Sequence, residues 1–127
     1  MKMKPTESEL SILNVLWKQG PSTVRQVNEI LNRQKRVGYT TTLKMMQIMH
    51  EKGMLERDEA TRSHVYSPNI HPEDLRGNML SQLVNTVFDG STSKMLIHAL
   101  GNYEPSSQEI EAIKELIRKK EQDGKSD

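Results

Sequence analysis

Four side chains near the middle of the chain have the chemistry of a nucleic-acid contact: Thr40, Thr41, Lys44 and Gln47. A threonine hydroxyl can bond a phosphate or a base edge, a lysine can reach a phosphate or a guanine, and a glutamine can read an adenine. At the start of a helix, unpaired backbone amides and the helix dipole add attraction for phosphate. The alternative is that a threonine only caps the helix and the other side chains are solvated surface.

The segment that carries these side chains has the pattern of a helix from about Thr40 to Lys52. Leu43, Met46 and either Met49 or His50 recur at helical spacing, and they predict a core-facing side opposite the four polar side chains. The glycine that follows favours the left-handed conformation in which many helices end. A short helix with one polar and one buried side is therefore expected.

Two strand-like segments come next, Met54–Asp58 and Ser63–Ser67, around a charged turn at residues 59–62. A helix followed directly by such a ribbon is the order of elements in a winged helix. The turn residue Arg62, with His64 after it, can lie along the DNA backbone or enter a minor groove. In the alternative interpretation, Arg62 only balances the acidic residues of a polar hairpin tip.

Further candidate contacts to a polyanion surround the third helix. Tyr39 either touches a phosphate through its hydroxyl or packs beneath the helix start. The cations Arg25, Arg33, Lys35 and Arg36 either steer the module onto phosphates or are solvated surface. Both alternatives stay open for each of these residues.

Two helices are predicted before this segment. Thr6 and Glu9 have the spacing of a capping box for the first helix, which ends at Gly20-Pro21. Ser22 is the predicted cap of the second helix. The apolar stripe of that second helix consists of Val24, Val27, Ile30 and Leu31.

From residue 71 on, the pattern predicts three amphipathic helices. The first extends to about Phe88, the second ends near Gly101-Asn102, and the third begins at a capping box of Ser106 and Glu109. The third helix is expected to fray into a polar tail from Lys119 to the last residue, Asp127.

The apolar faces of these three helices are wide for so short a segment, and much of their surface would stay wet in a monomer. Pairing with a second copy is the simplest remedy, since two-fold dimers are the commonest oligomers. We therefore predict a DNA-binding domain at residues 1–70 and a dimerisation domain at residues 71–127, in a mainly α fold with a short β-hairpin wing. The predicted interface residues are Leu75, Met79, Leu83, Val87, Met95, Leu96, Ile113 and Ile117.

Composition narrows the classes of function. The chain has 127 residues and no cysteine, which excludes disulfides and thiolate metal sites. No apolar run is long enough to span a membrane and no secretory signal is visible in Met1-Lys2-Met3, so a cytoplasmic protein is expected. The four histidines lack metal-ligand spacing and no nucleophile or phosphate-loop motif is present, so no enzyme, metal or cofactor is expected.

The charge distribution points to the first half as the part that faces DNA. Residues 1–70 contain 11 basic and 7 acidic side chains, a charge of +4, whereas residues 71–127 contain 7 and 10, a charge of −3. The excess is modest, so it supports the interpretation without deciding it.

Several groups of residues occur in an order that resembles the penicillinase-repressor family, often called the BlaI/MecI type. They are Thr6-x-x-Glu9 with Trp17, Tyr39-Thr40-Thr41-Thr42-Leu43 with Glu51-Lys52-Gly53, Arg62-Ser63-His64-Val65-Tyr66, and an acidic tail of three helices. The resemblance covers nearly the whole chain. It implies a homodimer that binds a palindromic operator in double-stranded DNA and represses transcription, commonly of a β-lactamase or resistance gene and of a sensor-protease gene. It also implies that Thr40, Thr41 and Lys44 start the DNA-contacting helix and that Arg62 is the wing arginine.

Relatives that respond to β-lactams are inactivated by a protease, typically at an Asn-Phe bond in the C-terminal domain. By register the corresponding pair here is His98-Ala99, which departs from that sequence. This pair is thus the candidate cleavage region, and an inactivating protease is a candidate partner. Two other functions are alternatives: a winged-helix regulator of another pathway that responds to a ligand, and a winged-helix protein-interaction module that does not bind DNA.

Overall fold

The fold is mainly helical with one small antiparallel sheet, as the computed structural model of residues 4–125 shows. The sequence expectations for Met1 to Met3 and for Ser126 and Asp127 lie outside the described residues. The elements in chain order are α1 (Glu7–Gln19), β1 (Ser22–Thr23), α2 (Val24–Leu31), α3 (Tyr39–Glu51), β2 (Leu55–Asp58), β3 (Val65–Pro68), α4 (Pro72–Val87), α5 (Thr92–Asn102) and α6 (Ser107–Lys125). The mainly α winged-helix fold predicted from the sequence is confirmed.

Capping residues fix where the helices begin. Thr6 Oγ1 accepts from the Glu9 amide at 3.2 Å, and the Thr6 amide donates to Glu9 Oε1 at 2.8 Å, so the predicted capping box of α1 is confirmed. The predicted box that opens α6 is also present, since Ser106 and Glu109 exchange the same two hydrogen bonds. The bond from the Ser106 amide lowers the pKa of the Glu109 carboxyl.

The prediction that Ser22 caps the second helix is wrong. Ser22 is buried in β1, and its hydroxyl donates to the Gly20 carbonyl at 2.9 Å. The cap is Thr23, which forms a reciprocal capping box with Gln26. The physical reason is that residues 22 and 23 must stay extended to pair with β3, so the helix begins one residue later than expected.

The sheet has the strand order β1-β3-β2, and both pairings are antiparallel. In its register Ser22 pairs with Tyr66, and Thr23 with Val65. The expected hairpin of β2 and β3 is present, with its turn at residues 59–64. Gly53 precedes it with φ +84°, the left-handed conformation predicted for the end of α3.

The core of the winged helix lies between α1, α2, α3 and the sheet. Its largest fully buried side chains are Tyr66, Ile12, Leu13, Leu16, Met46, Met49, Leu55, Val27 and Thr42. The ring of Trp17 packs against this cluster, and its Nε1 donates to the Ile70 carbonyl at 3.0 Å. Leu75 in the first turn of α4 is also buried in the cluster.

The chain forms two compact units, residues up to Ser81 and residues from Gln82 on, which divide within α4. In the second unit α6 continues to Lys125, so the expectation that it frays from Lys119 is wrong. Good helix formers fill this segment and no breaker interrupts it before Gly124, which explains its persistence. Among the described residues of this unit, Val84 is the only buried hydrophobic side chain.

Candidate nucleic-acid interface

The start of α3 is exposed and carries no side-chain cap. Its N-cap is Gly38, which offers no side-chain acceptor to the first amides of the helix. The first three amides of an α-helix have no partner within the helix, so these donors and the positive end of the helix dipole are available to an anion. Thr40 and Thr41 are exposed beside them.

The polar side of α3 has the composition that the sequence predicted. Lys44 and Gln47 are exposed on it, one and two turns beyond the threonines. The opposite side buries Thr42, Met46 and Met49, whereas Leu43 is half-buried against the core. The assignment of Met49 rather than His50 to the core resolves the alternative left open by the spacing.

A polar network under the helix start holds α3 against α2. Asn28 Nδ2 donates to Thr42 Oγ1 at 2.8 Å and to the Val37 carbonyl at 3.1 Å. Asn32 also bonds both polar atoms of the Val37 backbone, at 2.8 and 3.1 Å. This network fixes the connector and the first turn of α3. Sequence reasoning missed it, because the bonds of this network join residues that are 5 to 14 positions apart.

A cleft of about 330 Å³ lies between the start of α2, α3 and the wing. Four of the predicted contact residues line it: Tyr39, Gln47, Arg62 and His64. Tyr39 is 48% exposed, so it does not pack beneath the helix. Arg25 lines the same cleft, although no sequence pattern distinguishes it from the other exposed cations.

Thr40, Thr41 and Lys44 are not among the residues that line this cleft. Thr41 instead lies at a second cleft of about 260 Å³, together with Lys35 and Arg36 of the connector. The predicted contact residues therefore do not converge on one cleft. Such a spread is suited to an extended ligand.

The geometry of the wing shows which arginine pairs with the acidic side chains. Arg57 Nε donates to Glu59 Oε1 at 2.8 Å, and its guanidinium lies 5.9 Å from the centre of the Tyr66 ring. The hydrogen bond from Arg57 lowers the pKa of the Glu59 carboxyl. Asp58 accepts from the Ala60 amide at 2.9 Å.

Arg62 is consequently not the partner of these acids. Within residues 4–125, no carboxylate lies in ion-pair distance of Arg62 or of Lys44. The structure therefore contradicts the interpretation in which Arg62 only balances Glu59 and Asp58. Arg62 is exposed at the wing tip with its charge available.

A partly buried ion pair lies at the other end of α3. Lys52 Nζ lies 3.2 Å from Glu9 Oε2, and the Glu9 side chain is only 7% exposed. Burial raises the pKa of Glu9, but the hydrogen bond from the Thr6 backbone and the ammonium of Lys52 outweigh it, so the net pKa is lowered. The pair joins the start of α1 to the end of α3.

The predicted residues of the C-terminal part lie on α4, α5 and α6. Met79, Leu83, Val87, Leu96, Ile113 and Ile117 are exposed, each by 36% or more, and Met95 is half-buried. Leu75 is different, because it is 3% exposed in the core of the winged helix. Its burial there leaves no side-chain surface for a second copy, which corrects its assignment to the interface.

The candidate cleavage region lies in the middle of α5. The His98 ring contacts Phe88 with a centroid distance of 5.8 Å, and the His98 carbonyl accepts from Asn102 Nδ2 at 2.8 Å. Ala99 is half-buried. None of the helices in the described range has the length and hydropathy needed to cross a membrane.

The chain has the features of a winged-helix regulator: three helices with a three-stranded sheet, a third helix whose exposed start has no side-chain cap, and an exposed arginine, Arg62, in the wing turn. The chain belongs to the penicillinase repressor family, whose sequence profile matches residues 5–119. The family resemblance recognised from the sequence is thereby confirmed.

Several relatives place the chain within this family. It is 26% identical over 121 residues to the penicillinase repressor of Bacillus licheniformis, covering 91% of this chain and 94% of that protein. It is 31% identical over 93 residues to the transcriptional regulator BlaI of Mycobacterium tuberculosis, covering 71% and 67%. The methicillin resistance regulatory protein MecI of Staphylococcus aureus is 18% identical over 115 residues, covering 91% and 94%. These relatives bear the names of transcription regulators.

A solved structure agrees with the fold. The Bacillus licheniformis BlaI monomeric form, determined in complex with the blaP half-operator, matches with a TM-score of 0.51 and 26% identity. The match covers 58% of this chain and 90% of that chain.

Proposed function

We propose that this protein is a transcriptional repressor that binds a two-fold-symmetric operator in double-stranded DNA as a homodimer. The observation that carries the proposal is the uncapped, exposed start of α3 beside a cleft whose lining contains two arginines and no carboxylate. A helix N-terminus of this kind attracts phosphate, and the adjacent polar face is narrow enough to enter a major groove. Family membership and the half-operator complex of the Bacillus licheniformis relative support it.

Each residue of the interface has a role in this proposal. Thr40 and Thr41 approach the groove closely, while Lys44 and Gln47 reach base edges or phosphate. Tyr39 contacts the backbone through its hydroxyl. Arg62 and His64 contact the DNA from the wing.

The exposed apolar surface of α4 to α6 supports the homodimer. Among the described residues, fourteen large hydrophobic side chains are exposed, and twelve of them lie at or beyond Met79. Exposed apolar side chains in this number favour association, and a second copy related by a two-fold axis is the simplest partner to cover them. The proposed interface residues are Met79, Leu83, Val87, Met95, Leu96, Ile113 and Ile117.

The proposed domains are a DNA-binding part at residues 1–70 and a dimerisation part at residues 71–127, with Leu75 reassigned to the core of the first. Repression follows if the operator overlaps a promoter. The names of the relatives favour β-lactam-resistance genes as the regulated class. A protease that inactivates the repressor at His98-Ala99 would have to unwind α5 first, because both residues lie within that helix.

Lys44→Ala tests DNA binding. We expect the variant to lose about 1–3 kcal/mol of binding free energy if Lys44 reads a base, or to flatten the salt dependence of binding if it contacts a phosphate. The measurement is a mobility-shift titration with duplexes that the wild type selects from a random pool. Lys18→Ala is the matched control, since Lys18 is an exposed cation of α1 outside both clefts. If the wild type selects no sequence, the protein is not a sequence-specific repressor.

Leu96→Glu tests the dimer. Leu96 is 50% exposed on α5, and a carboxylate there would be desolvated in an apolar interface, so we expect dissociation to monomers. Sedimentation equilibrium at micromolar concentration measures the mass. Gln108→Glu on α6 introduces the same charge at another exposed position and should leave the dimer intact. A monomeric wild type would refute the dimer.

A further inference from the structure

Arg25 was not distinguishable from other surface cations in the sequence, yet it lies in the cleft between the start of α2, α3 and the wing. The lining of this cleft includes a second guanidinium, Arg62, together with the imidazole of His64, and it includes no carboxylate. In the described part of the chain, neither arginine has a carboxylate within ion-pair distance. A cleft lined by one sign of charge concentrates the opposite charge within it.

The positions of the two arginines are fixed by one strand pairing. Thr23 of β1 pairs with Val65 of β3. Arg25 comes two residues after Thr23, in the first turn of α2, and Arg62 comes three residues before Val65, in the wing turn. The same β-bridge thus anchors both walls of the cleft. Each wall carries a long basic side chain, Arg25 or Arg62.

We propose that Arg25 and Arg62 hold one phosphodiester of the DNA backbone from opposite walls of this cleft. The inference rests on the proposed function and adds Arg25 to the DNA-contacting residues. Guanidinium groups pair with phosphate through two parallel hydrogen bonds, which suits them to this ligand better than an isolated ammonium. The hydroxyls of Tyr39 and Ser63 line the same cleft and supply neutral donors.

The position of the cleft favours a backbone phosphate over a free one. Gln47 of the proposed groove-reading face also lines the cleft. A DNA strand whose base edge contacts Gln47 therefore has one of its phosphates close to the two arginines. Because phosphate contacts hold no sequence information, Arg25 contributes to affinity and register and not to base choice.

The test compares Arg25→Ala, Arg25→Lys and the control Lys18→Ala on a duplex that the full-length wild type selects from a random pool. Binding is measured as a function of salt. One phosphate contact contributes about 0.9 to the slope of log K against log salt. We expect Arg25→Ala to lower the slope by about that amount and to weaken binding roughly eightfold at 0.1 M salt, with the loss vanishing near 1 M.

The other variants separate charge from structure. Arg25→Lys keeps a cation and should retain most of the slope, whereas Lys18→Ala should behave as the wild type. The preferred sequence should be the same for wild type and Arg25→Ala, and the unchanged melting temperature of this exposed-site variant checks folding. In a separate arm, inorganic phosphate should compete only weakly, because it lacks the neighbouring contacts.

Four results would overturn the inference. An unchanged salt slope in Arg25→Ala, while the wild type still binds specifically, removes the phosphate contact and leaves the proposed function intact. An altered base preference in that variant makes Arg25 a base-reading residue instead. If millimolar inorganic phosphate displaces DNA equally from wild type and Arg25→Ala, the cleft is not the site of binding. A wild type that selects no duplex refutes the proposed function, and the inference with it.

Discussion

Removal of the Thr42 hydroxyl tests how the start of α3 is held. Thr42→Val keeps the branched shape of the side chain but removes Oγ1, which accepts from Asn28 Nδ2 at 2.8 Å and donates to the Gly38 carbonyl at 3.4 Å. The residue is 0% exposed, so solvent does not replace the lost acceptor. An amide hydrogen left without a partner inside a protein costs about 1–3 kcal/mol. Asn28 is half-buried and keeps its bond to Val37, so we expect a loss of about 1–2 kcal/mol in the free energy of unfolding.

Urea denaturation followed by circular dichroism measures this loss, and a mobility shift in parallel measures operator affinity. Thr41→Val is the matched control, because it makes the same replacement one position earlier, where the side chain is exposed. It should change stability by less than about 0.5 kcal/mol while weakening DNA binding. Thr42→Ser keeps the hydroxyl and loses one buried methyl group, about 1 kcal/mol, so it should lose stability but retain affinity.

A Thr42→Val variant as stable as the wild type would show that the bond to Asn28 does not stabilise the fold. A second contradictory result is a Thr42→Ser variant that loses as much DNA affinity as Thr42→Val. In that case the packing of the methyl group, and not the hydroxyl network, would position the helix start.

The pair of Glu9 and Lys52 predicts a pH dependence. Because the pKa of Glu9 in the folded protein is lowered from 4.5, its contribution is complete above that value and is lost as the pH falls through the lower folded pKa. Glu9→Gln should therefore destabilise the protein near neutral pH and match the wild type in strong acid, as urea titrations at both pH values would show; an equal difference at both would contradict this. Two glycine substitutions should have opposite signs in the same assay. Gly53→Ala forces a side chain to adopt φ +84° and should cost about 1–2 kcal/mol, whereas Gly77→Ala, in a helix with no atom within 4 Å of the added methyl, should stabilise by about 0.5–1 kcal/mol.

Local signals explain what the sequence could predict of the fold. The capping boxes at Thr6 and Ser106 and the stop at Gly53 are each specified by residues within one turn, and all three are found where expected. Strand β1 escaped prediction because two residues cannot show alternation, and their extended conformation depends on a partner 42 positions away at Val65. The misplaced cap at Ser22 follows directly from that missing strand.

The candidate site divides in the same way. The exposure of Thr40 and Lys44 follows from helical periodicity alone, so the sequence predicted it. The choice of Arg57 rather than Arg62 as the partner of Glu59 depends on the geometry of the turn, which sequence spacing does not specify. Arg25 joins the cleft only through the pairing of β1 with β3, and no local pattern marks it.

The distribution of burial links folding of the C-terminal part to association. Twelve of the thirteen buried hydrophobic side chains among the described residues lie at or before Leu75, and Val84 is the other. The helices beyond it, α5 and α6, are 11 and 19 residues long, and most of the stability of a helix within a protein comes from packing of its apolar face. In the proposed dimer, a second copy that covers this apolar surface would stabilise the two helices by about 25 cal/mol for each Å² removed from water. The protein concentration that sets dimerisation would then also set the stability of α5 and α6. A repressor of this kind would no longer bind two half-sites at once when these helices unfold. The residues that contact the operator would be unchanged.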